Sequence, residues 1–157
     1  MTADPLAQKH SRRLSTIIFF LLVLAIVGLV YTNSLLGRGP AAVGLQIAAV
    51  TLMLWARLTF GIRSFHYAAN PTEGGLVTTG PYRYMRHPIY TAILLFVWAG
   101  VASNLSPVSV ALGAVVTAML FLRMIFEEAL VRQRYPEYAD YARRTKRVIP
   151  FILVPFL

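Results

Sequence analysis

Two short stretches carry most of the residues able to do chemistry: Arg86-His87-Pro88-Ile89-Tyr90, and Glu127-Glu128 some forty positions later. An arginine presents a planar fork that grips a carboxylate or a phosphate through two bonds. Histidine and glutamate can take a proton from an amine or a thiol, and carboxylates also accept hydrogen bonds from ammonium groups and hydroxyls. Each residue has a plainer reading as well. Arg86 could hold the chain at a membrane surface, and His87 could be a turn residue bonded to nearby backbone. Glu127 and Glu128 could pair with Arg123 and Arg132 at four-residue spacing on a helix, and Tyr82, Tyr84 and Tyr90 could sit at head-group level.

The elements that must position these residues are apolar. Of the 157 residues, 57% are hydrophobic and 13% charged, about half the charged share of a soluble domain. No charge interrupts Leu14 to Gly37, Gly39 to Ala56 or Pro88 to Leu122. A helix needs roughly 20 such residues to cross a hydrocarbon core about 30 Å thick. The third run is too long for one crossing, and Asn104-Leu105-Ser106-Pro107 near its middle predicts a tight helical hairpin. The expected fold is an all-α polytopic membrane bundle, one domain over 1–157. It has about four spans, at 15–36, 40–62, 88–104 and 107–126, a loop over 63–87 and a helical tail over 127–157. A cleaved signal peptide fits the first run poorly, because the run is long and further spans follow.

Arg38 is the only basic residue left to an outer loop, so the positive-inside rule puts both termini and the central loop in the cytoplasm; in a bacterium the membrane is the inner one. The formal charge of +9 follows from this flanking pattern and from attraction to anionic membrane lipids, without nucleic acid as a partner. All six acidic residues fall on the inner side, which argues against a proton-coupled transporter. With no cysteine there are no disulfides.

The central loop is broken by Asn70-Pro71, Gly74-Gly75 and Gly80-Pro81, which predicts irregular backbone. Thr79 or Gly80 is placed to cap a short turn opened by Pro81. Pro136 is placed to open a further helix, with Tyr135, Tyr138 and Tyr141 as a stripe that either lies at the membrane interface or covers a site. The apolar end, 149–157, is too short and proline-broken to span.

Gly80-Pro81-Tyr82-Arg83-Tyr84-Met85-Arg86-His87-Pro88-Ile89-Tyr90, with Glu127-Glu128 and an aromatic, basic tail, closely resembles the isoprenylcysteine carboxyl methyltransferase family and is similar to membrane phospholipid N-methyltransferases. Ala92 stands where that family usually has glycine. The resemblance implies a methyltransferase that uses S-adenosylmethionine without a Rossmann domain and acts on a lipophilic or lipidated acceptor, such as the carboxylate of a prenylated cysteine or a related lipid. It implies cofactor contacts from Leu76, Val77, Gly80, Tyr82, His87, Pro88, Tyr90, Glu127 and Glu128, and catalytic roles for Arg86, Glu128 and Arg144. Arg86 is the first candidate to hold an acceptor carboxylate, and Arg144 the second. An NADPH-binding relative of the sterol reductases, and a non-catalytic scaffold or transporter, stand as alternatives; the acceptor and the oligomeric state stay open.

Overall fold

The computed structural model describes residues 5–61 and 75–148. Five α-helices follow in order: α1 Pro5–Tyr31, α2 Pro40–Phe60, α3 Pro88–Ser103, α4 Pro107–Arg134 and α5 Tyr138–Arg144. A 3-10 turn occupies Gly80–Arg83. Among the described residues there is no strand, and the one isolated bridge joins Met85 to Lys146 in parallel.

Proline opens α2, α3 and α4, where its missing N–H costs no hydrogen bond. The expected hairpin is present. Asn104 ends α3, and Ser106 caps α4 through a reciprocal capping box with Ser109. The expected boundaries shift in three places. Helix α1 starts ten residues before the predicted span and ends at Tyr31, five residues short of 36, and α4 continues eight residues past 126 because no helix breaker intervenes before Pro136. Asn70-Pro71 and the apolar end 149–157 lie outside the described residues.

Helix α2 packs along α3, α3 against α4, and α4 against α1. The core joins Leu22, Ala25 and Leu29 of α1 to Val97 and Val101 of α3 and to Val116, Leu120 and Met124 of α4. At the end away from Arg86, Gln46 ties the α1–α2 loop down. Its Oε1 accepts from Gly37 N, and its Nε2 donates to the Leu35 and Phe96 carbonyls. Gly100 lies so close to the Leu35 carbonyl that any side chain there would collide with it.

Helices α2 and α4 are each long and apolar enough to cross a membrane; Thr16–Tyr31 and Pro88–Ser103 are shorter apolar helices. The outer faces of α1 and α2 expose Phe20, Leu24, Ile47, Leu54 and Leu58. An apolar surface this extensive is poorly suited to water and well suited to hydrocarbon.

Candidate active site

The site forms where three separate pieces of chain meet: the stretch from Gly80 into α3, the last turns of α4, and the segment after α5. Its first piece depends on Gly80, at φ +56. A Cβ there would stand 2.5 Å from the Thr59 hydroxyl oxygen, so both conformation and space require glycine. Pro81 then starts the 3-10 turn, and the Tyr82 ring packs on Phe60 of α2 with centroids 5.5 Å apart. The turn delivers Met85–His87 alongside Lys146 and Arg147. Arg86 N donates to the Lys146 carbonyl at 2.7 Å, and His87 N to the Arg147 carbonyl at 3.0 Å. His87 is the N-cap residue of α3 at φ −124, ψ 60, outside the α region that the following Pro88 disfavours but short of fully extended backbone.

Arg86 is buried and its fork is largely engaged. Nε donates to Glu128 Oε1 at 3.0 Å, and Nη1 donates to the Ala142 and Thr145 carbonyls at 2.7 and 2.5 Å. A cation there complements the carbonyl end of α5 and fastens it to the loop.

Glu128, two residues beyond the apolar stretch ending at Phe126, has a side chain only 3% exposed. It accepts from His87 Nε2 at 3.1 Å, and Arg147 grips it through Nε at 3.2 Å and Nη2 at 3.1 Å. A carboxylate only accepts, so Nε2 is the protonated nitrogen of His87 in that bond. Burial opposes the charge on Glu128, but hydrogen bonds from His87 and Arg147, with the nearby Arg86, hold its carboxyl well below the usual carboxylate range.

One turn of contacts away, the Tyr90 hydroxyl donates to Glu127 Oε1 and accepts from Arg123 Nε at 2.8 Å, while Arg123 Nε also lies 3.3 Å from Glu127. The Tyr90 ring stacks on His87, with centroids 5.5 Å apart and planes 18° apart. Glu127 differs from its neighbour in being 25% exposed, with Oε2 at 3.9 Å from His87 Nδ1.

Tyrosines close the side facing α5. Tyr138 is buried, and the Tyr141 hydroxyl donates to the Tyr82 carbonyl at 2.7 Å. Burial pushes the Tyr82 and Tyr138 phenols well above their ordinary range, and the Tyr141 phenol up to about 12. Of the stripe, Tyr138 and Tyr141 pack on the loop side, and Tyr135 is half-buried at the end of α4.

The structure brings together Arg86, His87, Tyr90, Glu127 and Glu128, framed by Gly80, Tyr82 and Pro88. Leu76 and Val77 are half-buried on the chain leading to the turn. Arg144 is exposed at the end of α5 and is not among the side chains bonded to this cluster. Two cluster members were missed as site residues. Arg123, read as a helix-surface partner, does pair with Glu127 but is buried. An arginine inside a predicted apolar span was itself the signal, because a charge there is costly unless it is used. Arg147 reaches Glu128 only through the fold of the tail, and no local pattern announces it. Among the described residues, no group of three His, Cys, Asp or Glu side chains is placed to hold a metal ion.

Comparison with known proteins adds to this geometry. The chain is 32% identical over 123 residues to the cobalt-zinc-cadmium resistance protein CzcN of Cupriavidus metallidurans, covering 78% of this chain and 50% of that one. It is 34% identical over 85 residues to the nickel-cobalt-cadmium resistance protein NccN of Alcaligenes xylosoxydans xylosoxydans, covering 54% and 40%. It is 36% identical over 80 residues to protein-S-isoprenylcysteine O-methyltransferase A of Arabidopsis thaliana, covering 50% and 41%. The chain spans half or less of the length of these relatives. No solved structure gave a match. The sequence profile of phospholipid methyltransferases matches residues 38–138, a stretch that takes in α2, α3, α4 and both clustered glutamates. The chain therefore belongs to the phospholipid methyltransferase family and is related to the isoprenylcysteine O-methyltransferases.

Proposed function

We propose that this protein is an S-adenosylmethionine-dependent methyltransferase of the membrane, acting on a lipophilic acceptor that bears a carboxylate or a related polar head. The observation that carries this reading is Glu127. Of the paired carboxylates it is the reachable one, 25% exposed against 3% for Glu128, and it lies beside the stacked His87–Tyr90 rings. A carboxylate next to a flat aromatic face suits a nucleoside that also carries an ammonium and ribose hydroxyls. Glu127 and His87 would hold the polar end of the cofactor, and Leu76, Val77 and Tyr90 its base. When bound, S-adenosylmethionine supplies a methyl group on a sulfonium, open to in-line attack.

The chain's own residues then have two tasks. Tyr82, Tyr138 and Tyr141 seal the α5 side and keep water from the reacting groups. Arg86, Glu128 and the α5 carbonyls fix the loop, so that alignment supplies much of the acceleration. A carboxylate acceptor is already a nucleophile at neutral pH and needs no base; an amine or thiol would need His87 or Glu127 to take its proton. The relatives named as protein-S-isoprenylcysteine O-methyltransferases support the carboxylate.

The same reading sets the chain in the membrane with four spans. The site end and both termini face the cytoplasm, where a soluble cofactor and a lipid can meet. Support comes from the apolar lengths of α2 and α4 and from Arg38 standing alone among the basic residues between α1 and α2.

Thermal-shift titration of the detergent-purified protein tests the assignment. S-adenosylhomocysteine should raise the unfolding temperature with a gain that grows with ligand concentration, and NADPH should not. Stabilisation by NADPH alone would replace the methyltransferase reading with a reductase-like one.

A further inference from the structure

We infer that Arg147 receives the carboxylate of a bound ligand. The assignment rests on the methyltransferase reading for the ligand's identity and on the geometry of five guanidinium groups for the residue.

Arg86 has a side chain 5% exposed, and its Nε and Nη1 are committed to Glu128 and to two backbone carbonyls. Arg123, 7% exposed, serves Tyr90 and Glu127. Arg144 lies at the surface, outside the cluster, and Arg132, 58% exposed, approaches Glu128 only to 3.9 Å and through one nitrogen. Arg147 combines a fixed orientation with access, because its side chain is 31% exposed while one edge of the guanidinium is held against Glu128. That edge is Nε with one N–H of Nη2. The group is rigid and planar, so its other edge, Nη1 with the second N–H of Nη2, must point away from Glu128. Two parallel donors at carboxylate spacing, already oriented, lose little freedom on binding.

Charge favours the same assignment. Arg86, Arg123 and Arg147, joined by the more exposed Arg132 at 3.9 Å from Glu128, set four positive charges against the carboxylates of Glu127 and Glu128. The balance is positive, and a ligand carboxylate would offset part of it. The backbone secures the position, since the Arg147 carbonyl accepts from His87 N and the neighbouring Val148 carbonyl from the Thr91 hydroxyl. The carboxylate has two sources within this reading: the amino-acid end of the cofactor, or the acceptor.

The test uses the full chain in detergent and compares wild type with Arg147→Gln and Arg147→Lys by calorimetry. Two ligand pairs differ in the carboxylate: S-adenosylhomocysteine against methylthioadenosine, which lacks the amino-acid end, and an N-acetyl-S-prenylcysteine against its methyl ester. If Arg147 holds the cofactor carboxylate, Arg147→Gln weakens S-adenosylhomocysteine by about tenfold or more and leaves methylthioadenosine unchanged. If it holds the acceptor's, the same loss falls on the prenylcysteine acid and spares its ester. Arg147→Lys, which keeps the charge without the fork, should recover part of the loss, as a merely structural residue would not. Arg147→Gln with wild-type affinity for both acids would overturn the assignment. So would equal losses for each acid and its carboxylate-free partner, which would reduce Arg147 to a support for Glu128. A wild-type protein that binds the prenylcysteine acid through Arg147 but ignores S-adenosylhomocysteine would uphold the residue and refute the cofactor.

Discussion

Replacing Glu128 by Gln removes the charge from a side chain that is 3% exposed and contacted by Arg86, His87 and Arg147. The amide oxygen can still accept from Arg86 Nε, but its NH₂ would face a donor of Arg147, turning a fork into a donor–donor contact. Hydrogen bonds to charged groups contribute about 1.5 to 3 kcal/mol each, and breaking a buried ion pair costs about 3 to 5 kcal/mol. These contributions are coupled, so the expected loss is about 3 kcal/mol or more rather than their sum. A change of that size is a large fraction of the 5–15 kcal/mol typical of a folded domain, and it corresponds to roughly 10 °C in unfolding temperature. Thermal unfolding in detergent, followed by the fluorescence of Trp55 and Trp98, reads it directly. Glu127→Gln is the internal control. It removes the charge beside buried Arg123, but at 25% exposure and with an amide oxygen still able to accept from Tyr90 and Arg123 it should cost less stability than Glu128→Gln, while weakening S-adenosylhomocysteine about tenfold. If Glu128→Gln unfolds within about 1 kcal/mol of wild type, or if Glu127→Gln proves the more damaging to stability, the division into a structural and a ligand-facing carboxylate is wrong.

Gly80→Ala should destabilise by at least about 1 kcal/mol, because φ +56 and the Thr59 contact both oppose a side chain, and pairing it with Thr59→Ala should recover only the steric part, as denaturation of the two variants would reveal. Tyr82, Tyr138 and Tyr141 titrate higher in the folded state than their ordinary value near 10, so the stability they confer is fully present below about pH 10 and is lost as pH rises towards 12 and beyond. Each contributes a slope of at most about 1.4 kcal/mol per pH unit, and Tyr141→Phe should flatten the profile measured by unfolding across that range. Cysteines placed at the exposed Leu36 and Leu105 should react with an impermeant reagent from outside the cell, and those at Tyr84 and Ala139 should not; labelling at Ala139 from outside would reverse the proposed topology.

The hairpin was legible because its signals are local. A run too long for one span, broken by Asn104, Ser106 and Pro107, has few other solutions, and α3 and α4 turn at those residues. The extension of α4 to Arg134 was not legible from hydropathy, since apolar character stops at Phe126 while the backbone has no reason to stop there. The pairing of Arg123 with Glu127 followed from four-residue spacing and is present. The surroundings of Arg86 were hidden, because its partners Ala142 and Thr145 offer backbone carbonyls, which carry no sequence signature. The same holds for Arg147, whose place depends on the parallel pairing of Met85 with Lys146 across some sixty residues of chain.

That pairing has a consequence for how the protein is made. Arg86 and His87 find the Lys146 and Arg147 carbonyls, and Thr91 finds Val148, only after the intervening hairpin has formed and the tail has been synthesised. A nascent chain halted after α4 would hold its apolar helices and both glutamates, yet Glu128 would lack the fork of Arg147 and Arg86 would lack its carbonyls. The surroundings of Glu128 are therefore completed from the far side of the hairpin, and the cluster closes only once the segment 145–148 has docked beside Arg86 and His87.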